Sequence, residues 1–159
     1  MPRRLKPEQQ LELDSLYRIV AVITHWYDTL VSRESRGHMT DTVRAAYEAR
    51  DLRGMRMAYN DLVEMTKYAD VEQRRDLDVR LRAGANTDLA TIDAKTTQRV
   101  ERIRARGKIT SEEQYYLVRE HVEFNFDAPD KTSEVQQLLA MLGDFEERSA
   151  TRPKRRRVR

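Results

Sequence analysis

The chain has 159 residues, with 30 Lys and Arg against 27 Asp and Glu, three His and no Cys. That length accommodates one domain or two small ones, burying about two-thirds of the unfolded surface, and the missing cysteine excludes disulfides, thiolate nucleophiles and Cys-containing zinc sites. Five glycines and four prolines are too few turn-formers for many short strands, so the expected class is all-α, with roughly 70% helix, about twice the usual globular fraction.

Residues 1–6, MPRRLK, read as a flexible basic lead. Pro7 and Glu8 suit the first turn of a helix, predicted to run to about Glu34. Its segment 11–31 is the most apolar in the chain: Leu13, Leu16, Val20, Ile23, Tyr27 and Leu30 keep helical spacing, and Ile19, Val22 and Trp26 widen the face. A helix apolar around most of its circumference needs cover on several sides, which makes it the expected centre of the fold. Asp14, Arg18, His25, Asp28 and Ser32 form the remaining polar stripe, expected to face water. These charges rule out a membrane span, and the segment fits a signal peptide poorly.

Gly37 supplies a stop, after which Thr40 or Thr42 would cap a short helix carrying Val43, Ala46 and Tyr47 to about Arg50. Asp51 should cap the next, with Met55, Tyr59, Leu62 and Met65 inward and Gly54 weakening its first turn. Asp70 and Gln73 resemble a capping box for a helix holding Leu77 and Leu81. AGANT (83–87) then breaks the pattern. Thr87 would cap a helix carrying Leu89, Ile92, Val100 and Ile103, which Gly107 ends. Thr110 and Glu113 suggest another capping box before Tyr115, Val118 and Val122, flanked by Leu117 and Phe124. FNFDAPD interrupts, and Ser133 would cap a last helix with the stripe Val135, Leu138, Leu139, Leu142 and Phe145. About seven helices follow, arranged as an N-terminal bundle over 7–83 and a three-helix bundle over 86–149, with a disordered basic tail over 150–159.

The charge is uneven. Residues 151–159, TRPKRRRVR, contain six basic and no acidic residues, leaving 24 basic and 27 acidic in the first 150. Arg152, Lys154, Arg155, Arg156, Arg157 and Arg159 are the candidate contacts to nucleic acid or an acidic partner; without aromatic residues they would bind phosphates by charge and read no sequence. The run from Lys154 to Arg157 resembles a monopartite nuclear-localisation signal. Such a signal would direct to the nucleus a chain whose expected compartment is the cytoplasm.

No constellation carries a reaction. GKITSEEQY, 107–115, resembles the second half of an EF-hand loop, but Arg102, Arg104 and Arg106 stand where the first oxygen ligands belong, so the resemblance implies only a helix-turn-helix geometry. His25 and Asp28, one turn apart, have the spacing of a base and its orienter, yet lack a nucleophile; a solvent-facing pair is the expected reading. Neither Glu-x-x-His nor HExxH nor a phosphate-binding glycine loop occurs. Arg99, Arg102, Arg104, Arg106 and Lys108 suit a helix C-terminus as a solvated face. Met57 and Tyr68 share a face with Asp61 and Glu64 and are candidate protein contacts. The expected function is a non-enzymatic helical protein-interaction, adaptor or scaffold protein, self-associating or binding a partner, with no cofactor, metal or membrane. The alternative is a nucleic-acid-associated protein acting through its tail.

Overall fold

The computed structural model describes residues 4–152. Among them 81% are helical and none forms a strand, so the all-α expectation holds for the described chain. The helices are α1 (Pro7–Asp28), α2 (His38–Glu48), α3 (Leu52–Thr66), α4 (Val71–Ala85), α5 (Leu89–Arg106), α6 (Glu112–Asn125) and α7 (Thr132–Ala150), with 3-10 turns at Arg33–Ser35 and Pro129–Lys131. Two compact units divide inside α5, one reaching to Ala94 and the other beginning at Lys95. α5 crosses the division because its apolar spacing is continuous: Leu89 and Ile92 enter the first core, Val100 and Ile103 the second.

In the first unit α1 packs against α2, α3 and α4. Leu13, Val20, Ile23 and Trp26 are buried, facing a cluster that includes Met55, Leu62, Leu77 and Leu81; each such side chain contributes about 1.5–3 kcal/mol on leaving water. Polar groups fix the register. Trp26 Nε1 donates to the Gln73 carbonyl at 3.2 Å, and Arg56 donates from Nε and Nη2 to the two Glu12 carboxylate oxygens, each at 2.7 Å. Tyr47 stacks on Tyr17 at 4.1 Å while its hydroxyl donates to Asp14 at 2.9 Å. That hydrogen bond to a carboxylate, with burial, holds the phenol above its usual pKa.

Not all of the polar stripe of α1 faces water. Arg18 and His25 are exposed, but Asp14 and Asp28 are half-buried. Asp28 accepts the Gly37 N–H at 2.9 Å and the Thr40 hydroxyl at 3.1 Å, pulling the chain back onto the end of α1. The helix therefore stops at Asp28 and not near Glu34, and Leu30, expected on the apolar face, is 42% exposed.

Helix ends show where other groups outcompete the expected caps. Gly37, with φ of 82°, stands at the N-cap of α2, where neither Thr40 nor Thr42 is placed. Asp51 does cap α3, accepting the Gly54 N–H at 2.9 Å; a Cβ on Gly54 would collide with the Asp51 carboxylate, so this glycine, expected to weaken the first turn, leaves room for the cap. The Asp70 and Gln73 capping box is present, and α4 continues through Gly84 to Ala85, where Asn86 turns left-handed at φ 51°. At α5 it is Asp88, not Thr87, that accepts the Thr91 N–H at 2.8 Å. Ser111, not Thr110, caps α6 by accepting from Gln114, and Gln114 in turn accepts from the Thr110 N–H. Ser133 lies inside α7, which the 3-10 turn starting at Pro129 leads into one residue earlier.

In the second unit α6 packs against α7. Leu117, Val118 and Val122 meet Val135, Leu138, Met141 and Leu142, joined by Val100, Ile103 and Ile109. Arg148 Nη2 donates to the Ile109 carbonyl at 3.0 Å, tying the turn after α5 to the last turns of α7.

Candidate functional site

The α6–α7 pair carries an open surface groove. Residues 112–150 hold ten acidic and three basic residues, whereas the preceding stretch, from Arg99 to Lys108, is mainly basic. Apolar residues at helical spacing bring the pair together, but the stripes are wider than the seam between them. On α7 the burial leans toward Met141, leaving Leu139, expected to be buried, 43% exposed; on α6, Phe124, at the flank of the stripe, is 48% exposed. Phe126, just past α6, is 61% exposed.

The result is an open groove of about 780 Å³. Val122, Leu142, Leu139 and Phe126 give it an apolar floor and one end, Tyr115 the other end, and Arg119, Glu123, Asp127 and Glu146 its rim. Gly143 lies in its wall, and no atom comes within 4 Å of where its Cβ would stand. Along α6 and its C-cap the lining residues Tyr115, Arg119, Val122 and Phe126 step by four, three and four, the spacing at which a second helix would lie across them. The rim is ordered by its own contacts. Arg119 Nε donates to Glu123 at 2.9 Å, and the Tyr115 hydroxyl donates to Glu146, a carboxylate that raises the phenol's pKa. Tyr115 also stacks on Phe145 at 5.3 Å.

Elsewhere in this pair stands His121, which carries no recognisable motif in the sequence. It is buried, and its Nε2 lies 2.9 Å from Glu134 Oε1. Burial alone would raise the Glu134 pKa, but the hydrogen bond and charge of His121, with Lys131 and Arg104, outweigh it and hold the carboxyl below its usual value. This pair is structural in placement, since neither residue lines the groove.

A smaller groove of about 310 Å³ lies between α2 and α3, lined by Met39, Val43, Ala58, Asp61, Leu62 and Met65 among others. Met57 and Tyr68, the candidate contacts on this side, are 43% and 69% exposed but are not part of its lining. They sit about three turns apart along α3 and its exit. The tail candidates divide: Arg152 is described and exposed, while Lys154, Arg155, Arg156, Arg157 and Arg159 lie outside the described residues.

The other constellations resolve into local structure. His25 Nδ1 is 2.7 Å from the Ala21 carbonyl, and Asp28 serves Gly37 and Thr40, so the two do not form a base and orienter. In the EF-like stretch Gly107 takes φ of 74°, but Glu113 pairs with Arg99 at 3.1 Å and the Ile109 carbonyl faces Arg148. Arg104 pairs with Glu101 at 2.7 Å, while Arg102, Arg106 and Lys108 are exposed. Among the described residues no three His, Asp or Glu side chains converge as a metal site, and no helix is long and apolar enough to cross a membrane. Compared with protein families, curated proteins and solved structures, the chain matches none.

Proposed function

We propose that this chain is a non-enzymatic helical protein that acts by contacting another protein, as an adaptor or scaffold, with the α6–α7 groove as its principal contact surface. The observation that carries the reading is an apolar floor left open between two packed helices, with Phe126 and Leu139 exposed along it. Isolated exposed apolar residues are ordinary, but several converging on one concave face mark interaction surfaces. Met57 on α3 and Tyr68 just past that helix form a secondary contact.

Site-specific photo-crosslinking tests this. A photoreactive residue at Leu139 should yield a discrete protein adduct in cells, and one at exposed Ala90 should not. Absence of an adduct at Leu139 overturns the reading.

The basic run at the C-terminus supports a second reading, nucleic-acid association through charge. Six basic residues in nine are the observation behind it, and the acidic hairpin of α6 and α7 would oppose such binding and not assist it.

A further inference from the structure

We infer that the occupant of the α6–α7 groove is an amphipathic helix whose apolar stripe is flanked by Lys or Arg. This rests on the protein-contact reading and narrows it to a partner chemistry.

Two properties of the groove select that chemistry. Its length, from Tyr115 on α6 to Phe126 at the C-cap of that helix, spans eleven residue steps, about 16 Å at the helical rise, enough for roughly three turns of a partner helix. Such a helix would turn an apolar stripe at i, i+4 and i+7 toward the floor of Val122 and Leu142 and the open wall at Gly143. The rim supplies the charge. Glu123 and Asp127 stand toward one end and Glu146 toward the other, against one cation among the described lining residues, Arg119, within a hairpin holding ten acidic and three basic residues. A partner with basic flanks meets opposite charge at both ends of the groove.

The same facts disfavour the other occupants. A second copy would bring an identical acidic hairpin against this one, and like charges across an interface oppose association. The chain's own tail is basic enough, but in residues 152–159 only Val158 and Pro153 are apolar, which leaves the floor uncovered.

The test uses the full-length protein and a labelled synthetic helix of about 14 residues, long enough to span the groove, carrying a Leu stripe flanked by Lys. A matched peptide has Glu in place of each Lys. The groove is filled without changing charge by Gly143→Leu, where open space receives the side chain and a helix interior gains from losing glycine. Fluorescence anisotropy should show the Lys peptide binding at least about tenfold more tightly than the Glu peptide, and Gly143→Leu weakening it by a similar factor. Added salt should weaken binding without removing the apolar contribution. Equal affinity for the two peptides would overturn the inference, as would Lys-peptide binding that Gly143→Leu leaves unchanged, since that is adhesion to an acidic surface outside the groove. A third result overturns it while sparing the protein-contact reading: no peptide binding, but reversible dimerisation in sedimentation velocity that Gly143→Leu abolishes. No binding, no self-association and no crosslink from Leu139 would remove both.

Discussion

His121 Nε2 lies 2.9 Å from Glu134 Oε1, joining α6 to the first turn of α7 across a largely buried contact. Lys131 Nζ, 3.5 Å from the other carboxylate oxygen, adds a positive neighbour. Removing the charge by Glu134→Gln should cost about 1–3 kcal/mol near neutral pH, as for loss of a charge-assisted hydrogen bond. The pH dependence follows from the direction of the Glu134 shift. Its folded-state pKa lies below the unfolded reference of 4.5, so between the two the unfolded chain binds more protons and stability rises with pH. The Glu134 contribution is fully present above the unfolded value and is lost as pH falls through the folded one. Urea denaturation of both proteins across the acid range should show their stabilities converging there; a constant difference down to the lowest pH would contradict it.

Ile23 is 1% exposed in the core of the first unit, whereas Arg18 on the same helix is exposed. Ile23→Ala should therefore cost about 2–5 kcal/mol as a large-to-small change in a packed core. Arg18→Ala should stay within about 0.5 kcal/mol. Chemical denaturation reads both, and equal losses would mean that α1 presents a different face to its neighbours.

Asp28 ends α1 by accepting from Gly37 and Thr40. Asp28→Ala leaves a half-buried N–H and hydroxyl without that acceptor and should cost about 1–2 kcal/mol, while His25→Ala, at an exposed position, should cost about 0.5 kcal/mol or less. Hydrogen exchange adds a local readout: the Gly37 amide should lose protection in the Asp28 variant. Equal thermal shifts for the two variants would place the anchor elsewhere.

Helical periodicity made the inward faces legible where a stripe has one narrow centre. Leu77 and Leu81, Val100 and Ile103, and Val118 and Val122 are all buried as their spacing predicts. Periodicity is less informative at the flanks of a wide stripe, because the choice between two adjacent apolar positions belongs to whatever helix packs alongside. On α7 the choice fell to Met141 over Leu139, and that misreading is the groove itself: the exposed Leu139 is part of its lining. The charge imbalance of residues 112–150 and the glycine within the α7 stripe were signals of the site available in the sequence. Their meaning depended on knowing that α6 pairs with α7. The Asp51 cap and the Asp70–Gln73 box formed as expected; the caps that differed did so for a similar reason, since adjacent hydrogen-bonding residues such as Thr87 and Asp88, or Thr110 and Ser111, are distinguished by backbone direction and not by residue type.

The basic tail separates the two functional readings most directly. If residues 152–159 bind nucleic acid, up to six phosphates are neutralised, and log affinity should fall with log salt at a slope of about −4 for single strands or about −5 for duplex, with little dependence on sequence. The α6–α7 hairpin, with its acidic excess, would repel the same phosphates, so truncation after Ala150 should abolish binding and not merely weaken it. The cut leaves α7 intact as far as Ala150; it removes Thr151, whose hydroxyl reaches the Glu147 carbonyl at 3.2 Å on an exposed surface. Circular dichroism should therefore report the same helix content and nearly the same melting point. Under the protein-contact reading the truncated chain keeps both its Leu139 crosslink and its affinity for the Lys-flanked peptide. Anisotropy with a labelled oligonucleotide at several salt concentrations, full chain against truncated chain, decides the matter. A steep salt slope lost on truncation assigns phosphate binding to the tail, and no binding near physiological salt removes the nucleic-acid reading.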